Sequence, residues 1–199
     1  MKSLTYSLTN EYEAFWREKS GMKNKSNYWA LPDDLMGAWS AREEAIHKWG
    51  FAVPNDRAIA VCCKYSPIVE IGAGLGYWAK LIDEAGGKIE AFDDFSWFTQ
   101  RPFFKKKDMY FPVKKNHDAL TEGTLMLVWP CYATPMAVDC LRRHLGDHVI
   151  YVGEGEGGCT ADDDFHELLD KEWEEVEQVK LPQWWGIHDT LTVYHRKAK

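Results

Sequence analysis

The pattern of apolar and polar positions predicts a chain in which strands and helices alternate from residue 66 onward. Short apolar runs, of the kind that form strands buried in a parallel sheet, recur along this part of the chain. Between them, residues 77–85 and 135–145 carry apolar side chains at helical spacing. This order predicts an α/β fold with one central sheet. The predicted strands are residues 67–71, 89–92, 111–115, 125–129, 148–152, 173–181 and 189–196.

Before this alternating region, the spacing of apolar residues predicts helices. Thr9 can cap a helix at residues 9–18, and Pro54 fits the first turn of one at 54–63. A third predicted helix lies between them, after Pro32. We therefore divide the chain into an N-terminal helical segment, residues 1–65, and a nucleotide-binding domain, residues 66–199.

The most informative stretch begins at the first predicted strand and ends on Asp93. Gly72, Gly74 and Gly76 follow that strand, and a predicted helix begins at Tyr77. Glycines let the backbone approach a ligand, and the start of a helix offers unpaired N–H groups. An acid at the end of the second strand can accept hydrogen bonds from ribose hydroxyls. The stretch therefore predicts a nucleotide-binding half-site, with an ordinary strand–turn–helix unit as the structural alternative.

The spacing of the glycines discriminates between nucleotide ligands. A dinucleotide fingerprint requires a glycine at position 77, where this chain has tyrosine. The order Glu70-x-Gly72-x-Gly74-x-Gly76 resembles the first motif of the class I S-adenosylmethionine (SAM) methyltransferases. The tail VGEGEGGCTADDDFHELL is similar to that of small, uncharacterised members.

The resemblance implies a Rossmann-like sheet of seven strands, the last of them antiparallel, with an N-terminal helical segment. It also implies SAM as the cofactor, bound by Glu70, the three glycines and Asp93. In this family the N-terminal helices cover the cofactor or form an oligomer contact. Helices that complete the core are an equally weighted interpretation.

A second motif follows the predicted strand at 125–129. Trp129-Pro130-Cys131-Tyr132 resembles the Asn/Asp-Pro-Pro-Tyr motif of amino-group methyltransferases, in which the first residue and a proline carbonyl accept the substrate's N–H bonds. Trp129 can only donate a hydrogen bond, and Cys131 replaces a proline. The resemblance therefore implies altered specificity, with Trp129 and Pro130 beside the cofactor. A plain strand-to-helix turn is the alternative.

Two further segments carry possible nucleotide contacts. The resemblance implies that Asp118, in the run Asn-His-Asp-Ala, hydrogen-bonds the adenine amino group. Residues 94–107 mix aromatic and cationic side chains, which could stack on and neutralise a nucleotide. For this segment we favour a solvated loop.

Candidate catalytic groups lie in loops that follow predicted strands. Ligands of open α/β sheets bind at the carboxyl ends of the strands, so we expect Tyr132, Glu154, His188 and Asp189 to converge there. Histidine is the favoured general base because its ordinary pKa of ~6.5 lies near working pH. Glu154 is second, since burial would have to raise its pKa. Alternatively, His188 and Asp189 only begin the last strand. Thr160 is predicted to cap the following helix.

Composition narrows the class of protein. The chain has 199 residues and a net charge of −7, which disfavours a nucleic-acid partner without excluding a local basic patch. No apolar run has the length of a signal peptide or a membrane span, so a cytoplasmic protein is expected. The five cysteines lack the paired spacing of a zinc site, and no metal is predicted.

Three functions remain open at this point. The first is a SAM-dependent methyltransferase that acts on a small molecule or an exposed nucleobase, at nitrogen or oxygen. The second is a SAM- or nucleotide-binding module without transfer activity, as the altered motif at Trp129 suggests. The third is another nucleotide-dependent enzyme, such as a dehydrogenase or a lyase, on the same sheet.

Overall fold

A computed structural model describes residues 10–22, 31–96, 109–115 and 122–198. No helix within these ranges combines the length and the apolar character needed to cross a lipid bilayer. The helices and strands are, in chain order, α1 (Glu11–Lys19), α2 (Leu35–Lys48), α3 (Asp56–Lys64), β1 (Ile68–Ile71), α4 (Tyr77–Glu84), β2 (Ile89–Phe92), β3 (Val113–Lys114), β4 (Thr124–Val128), α5 (Met136–Arg143), β5 (His148–Gly153), α6 (Asp163–Glu172), β6 (Trp173–Lys180) and β7 (Thr190–Arg196).

The strands form one seven-stranded sheet in the order β3-β2-β1-β4-β5-β7-β6. β7 is antiparallel to both of its neighbours, while the other described strand pairs are parallel. The predicted Rossmann-like α/β class, with an antiparallel last strand, is therefore confirmed. The third strand is shorter than predicted because only Val113 and Lys114 pair with β2.

The sheet is buried on both faces by helices. Along β4, Leu125 and Leu127 point into one apolar cluster, and Met126 points into the other. This alternation follows from the two-residue period of a strand. The Met126 side is covered by residues of α1–α4, and the opposite side by residues of α5 and α6. Two separate core layers therefore hold the central strands.

Helix α1 is bound into the core by a buried tyrosine. The Tyr12 side chain is fully buried, and its hydroxyl donates to the carbonyls of Gly50 and Phe51 at 3.1 Å each. The same hydroxyl accepts from Nε1 of Trp184 at 3.3 Å, in the loop between β6 and β7. Nε1 of Trp16 donates to the Gln183 carbonyl at 3.1 Å. The N-terminal helices therefore contribute to the core and support the loop that carries His188.

The predicted cap of α6 is wrong. Asp162 is the N-cap, and its carboxylate accepts from the Phe165 N–H at 3.0 Å. The buried Thr160 hydroxyl instead lies 2.6 Å from the Tyr151 hydroxyl and accepts from the Glu154 N–H at 2.9 Å. Thr160 therefore closes the loop after β5 and does not begin the helix.

Candidate functional site

The glycine turn after β1 has the backbone geometry that its sequence predicts. Gly72, Gly74 and Gly76 all have positive φ angles, of 78°, 56° and 74°. A Cβ atom at Gly72 would lie 2.8 Å from Cε of Met136, and one at Gly76 would lie 2.9 Å from Cβ of Phe111. A Cβ atom at Gly74 would meet nothing within 4 Å. Internal packing therefore explains two of the glycines, and the third borders open space.

Two buried carboxyl groups lie behind this turn. Asp93 accepts from the Gly74 N–H at 2.8 Å and from the Phe95 N–H at 2.7 Å. Glu70 is 1% exposed, and its Oε2 has no hydrogen-bond partner among the described residues. Burial, with repulsion from Asp93, raises the pKa of Glu70 to about 8. The end of β1 thus buries a carboxyl oxygen that has no protein partner within the described ranges, and a ligand that donates a hydrogen bond or carries a positive charge would satisfy it.

Strand pairing brings the other candidate residues to the same edge of the sheet. β4 pairs with β5 through Val128 and Val152, and β5 pairs with β7 through Gly153 and Thr190. The residues just after β4 and β5 therefore lie beside the residues just before β7. The structure brings together three of the four predicted catalytic residues in this way, namely Glu154, His188 and Asp189.

Trp129 has a defined role at this edge. Its backbone has a φ of 51°, rare for a bulky residue, and its N–H donates to the Val152 carbonyl at 2.8 Å. The indole Nε1 donates to Oδ1 of Asp189 at 2.7 Å. The ring also stacks on Phe51, with centroids 4.7 Å apart. Trp129 stands where the resembling motif has Asn or Asp, and its side chain can only donate. It therefore holds the Asp189 carboxyl group in the site.

Glu154 binds the two loops of this edge together. Its Oε1 accepts from the His188 N–H at 2.8 Å and lies 3.3 Å from the imidazole Nδ1. Its Oε2 accepts from the Cys159 N–H and from the Cys159 thiol, both at 2.9 Å. A base at this position was expected to need a raised pKa. Burial does act in that direction, but these hydrogen bonds outweigh it and hold the pKa of Glu154 below its ordinary value.

Asp189 has the opposite electrostatic character. It is 2% exposed, and desolvation raises its pKa to about 7, although the hydrogen bond from Trp129 opposes this shift. The negative charge of Glu154 raises the pKa further, and Arg42 lowers it. Asp189 therefore exchanges its proton near neutral pH, as a general base requires.

Tyr132 and Pro130 are placed differently from this group. Tyr132 is 63% exposed, and no hydrogen bond or ring contact within the described ranges joins it to His188 or Asp189. The Pro130 carbonyl already accepts from the Ala161 N–H at 3.1 Å, which links the turn after β4 to the loop after β5.

Two predictions fall outside the described ranges. Asp118, the residue implied for the adenine contact, lies within 116–121. Most of the aromatic and cationic loop at 94–107 lies within 97–108.

Sequence analysis did not identify Arg42 as a site residue. Its guanidinium carbon lies 5.8 Å from the centroid of the Trp129 ring. Arg42 follows Leu35, Ala38 and Trp39 at positions i+7, i+4 and i+3, so the four share one face of α2. That spacing is visible in the sequence, but the element that α2 faces is not.

No protein-family model matches the chain, and no curated protein matches it. Among solved structures, the chain is similar to 1,6-didemethyltoxoflavin-N1-methyltransferase from Burkholderia thailandensis, crystallised with 1,6-didemethyltoxoflavin and S-adenosylhomocysteine (SAH). Identity is 14%, the TM-score is 0.52, and the match covers 80% of this chain and 85% of that one.

Two other matches have lower TM-scores. Magnesium protoporphyrin IX methyltransferase from Synechocystis PCC 6803 has 9% identity and a TM-score of 0.49, over 71% of this chain and 81% of that one. N-methyltransferase NodS from Bradyrhizobium japonicum WM9 has 13% identity and a TM-score of 0.47, over 95% and 100%. By its strand order and its likeness to the Burkholderia enzyme, the chain has the Rossmann-like fold of the class I SAM-dependent methyltransferases.

Proposed function

We propose that the protein is a SAM-dependent methyltransferase that acts on a small molecule or an exposed nucleobase. The observation that carries the proposal is the glycine turn. Gly74 borders open space, and the buried Glu70 beside it keeps an acceptor oxygen without a partner among the described residues. This arrangement lies in the fold of the class I methyltransferases.

The residues of the turn fit the donor groups of SAM. The Glu70 carboxyl would accept from the amino group of the cofactor, and the backbone at Gly74 would allow close approach. Asp93 is the proposed acceptor for the ribose hydroxyls, and it also holds the turn through the N–H groups of Gly74 and Phe95. Asp118, Trp129 and Pro130 remain proposed contacts. When bound, SAM supplies an electrophilic methyl group.

The protein's own contribution is alignment of the acceptor and removal of one proton. His188 is the first candidate base, and Glu154 holds its loop in place through the His188 N–H and lies 3.3 Å from the imidazole Nδ1. Asp189 is the second candidate base, because its raised pKa puts proton exchange near neutral pH. Glu154 itself is a positioning residue, since its oxygens are used by neighbouring donors. We propose that the ring of Tyr132 packs against the methyl acceptor.

A SAM-binding module without transfer activity is the second candidate. One observation favours it: the Trp129 indole donates to Asp189. As a donor-only group, it offers no acceptor to a substrate amino group. The turn after β4 would then have only the Pro130 carbonyl for that purpose.

Titration calorimetry and a transfer assay separate these functions. We expect SAH to bind and NAD not to bind, and NAD binding would indicate another nucleotide-dependent enzyme. With SAH binding established, transfer of labelled methyl groups from SAM to small molecules of a cell extract would support the methyltransferase. Cofactor binding without transfer would support the binding module.

A further inference from the structure

The N-terminal helical segment contacts the Trp129 indole at two points. The ring of Phe51, which follows α2, stacks on the indole with centroids 4.7 Å apart, and the guanidinium carbon of Arg42 lies 5.8 Å from the indole centroid. The second distance falls within the ~6 Å range of a cation–π contact. Trp129 in turn donates to Oδ1 of Asp189 at 2.7 Å. One aromatic side chain therefore links Arg42 to a carboxyl group of the site.

Arg42 projects from the buried face of α2. It shares that face with Ala38, Ala41 and Ala45, which are all buried and whose small side chains let the helix backbone lie close to the core. Nε of Arg42 is itself buried and has no hydrogen-bond partner among the described residues. A buried donor without an acceptor costs free energy. The contact with the Trp129 ring, and the attraction to the carboxyl group beyond it, offset part of this cost.

The described titratable groups that act electrostatically on Asp189 come from α1, α2, β5 and the loop after β5. They are Tyr12, Arg42, Tyr151, Glu154 and Cys159. Burial raises the pKa values of the two tyrosines and of the thiol, so these three groups are uncharged near neutral pH. The imidazole of His188, the residue before Asp189, lies toward Glu154, with Nδ1 3.3 Å from Oε1.

The two charged members of this set act on Asp189 in opposite directions. Desolvation raises the pKa of Asp189, the hydrogen bond from Trp129 lowers it, the charge of Glu154 raises it further, and the charge of Arg42 lowers it. Arg42 therefore acts together with Trp129, and against Glu154, to keep this buried group ionised.

We propose that Arg42 is a positioning residue for Asp189: from α2 it holds the Trp129 indole in place and favours the carboxylate form of Asp189. This inference rests on the proposed methyltransferase function, in which Asp189 is a candidate base. A carboxylate can take a proton from the methyl acceptor, whereas a carboxylic acid cannot. Arg42 contacts neither the acceptor nor SAM in this proposal.

Titration of the Asp189 carboxyl group by carbon NMR tests the effect of the charge in the full-length protein. We expect Arg42→Gln to raise the midpoint of this titration by about one pH unit, because a nearby guanidinium favours the ionised carboxyl group. Arg42→Lys keeps the charge and should give a smaller increase. Arg57→Gln removes an exposed arginine of α3 and should leave the midpoint unchanged. An unchanged midpoint in Arg42→Gln, or an equal increase in Arg57→Gln, would overturn the proposal.

Hydrogen exchange of the Trp129 indole N–H tests the contact itself. The NMR signal of this group is identified by its loss in Trp129→Phe. We expect exchange to accelerate in Arg42→Gln, because the indole is held less firmly on Asp189. The indole N–H of Trp78, which donates to the Ala52 carbonyl at 3.2 Å, is the internal control and should exchange as in the wild type. Unchanged exchange at Trp129, or equal acceleration of both signals through a general loosening of the fold, would contradict a specific contact.

Neither NMR measurement requires methyl transfer, so both are independent of the proposed function. In a transfer assay, the acidic limb of the pH profile of kcat should move to higher pH in Arg42→Gln, and kcat should recover as pH rises. A decrease of kcat by the same factor at every pH would overturn the positioning role, since a merely structural defect has that effect. Failure of the wild type to bind SAH would count against the methyltransferase function, and the two NMR measurements would still decide the contact between Arg42, Trp129 and Asp189.

Discussion

The indole nitrogen of Trp129 and the carboxylate of Asp189 lie 2.7 Å apart, which joins the end of β4 to the start of β7. The hydrogen bond favours the charged form of Asp189, so its loss should raise the pKa of this group above about 7. We expect this increase in Trp129→Phe, measured by carbon NMR of the carboxyl group. Trp173→Phe, on the opposite face of the sheet, is the control and should leave the pKa unchanged.

Replacement of Gly74 should abolish cofactor binding without unfolding the sheet. We expect Gly74→Val to lose measurable SAH affinity, because its side chain would enter the open space beside the turn. Gly86→Val is the matched control, since Gly86 also has a positive φ and no atom within 4 Å of an added Cβ. Both variants place a β-branched side chain at a positive φ, 56° at Gly74 and 89° at Gly86, so a loss of SAH affinity in a folded Gly74→Val alone reports ligand contact. Equal affinities in calorimetry would contradict the placement of the cofactor.

Asp93→Ala should weaken SAH binding by about tenfold or more, since each charge-assisted hydrogen bond to a ribose contributes about 1.5–3 kcal/mol. The structure adds a second effect, because Asp93 also holds the N–H groups of Gly74 and Phe95. The melting temperature should therefore fall together with the affinity. Asp94→Ala is the control. If only the control variant lost affinity, the ribose contact would belong to Asp94.

Glu154→Gln should reduce kcat by about tenfold while SAH affinity stays the same, because a poorly oriented base slows proton transfer only. Amide hydrogen exchange at His188 and Cys159 should accelerate, since both N–H groups donate to this carboxylate. Glu156→Gln, in the same loop and exposed, should change neither measurement. Unchanged kcat together with faster exchange would reduce Glu154 to a structural role.

Glu70 should make the protein less stable as pH rises. Its pKa in the folded state is about 8, against an ordinary value of 4.5, so the folded state binds more protons between these values. The free energy of unfolding therefore decreases through this window as pH increases. We expect Glu70→Gln to remove the decrease, as measured by chemical unfolding from pH 4 to pH 9. Glu90→Gln, an exposed residue of β2, should retain it.

Local features of the chain were predictable because their causes are local. The apolar runs predicted β1 and β2 closely, and the alternating glycines predicted the turn that follows β1. The bond between Trp129 and Asp189 could not be predicted, because it joins residues 60 positions apart. The role of Arg42 also depended on which loop packs against α2.

The loop after β5 shows why chemistry was harder to predict than fold. Glu154 was expected to be a base only if burial raised its pKa, and the donors that lower it come from Cys159 and His188. A glycine-rich loop can adopt many conformations, so the sequence does not indicate that it closes on this carboxylate. Likewise Thr160 and Asp162 are both suitable caps, and the partner Tyr151 determines that Thr160 faces inward.

The hydrogen bond between Trp184 and Tyr12 has a consequence for the order in which the molecule assembles. The two residues are 172 positions apart, and β7 must insert between β5 and β6 before the loop that carries His188 is complete. Contacts this distant in sequence form late, because closure of a long loop costs entropy before any contact stabilises it. During synthesis from the N-terminus, the glycine turn can therefore form while the acceptor side of the site is still missing. We expect the acceptor side to be the last part of the protein to mature.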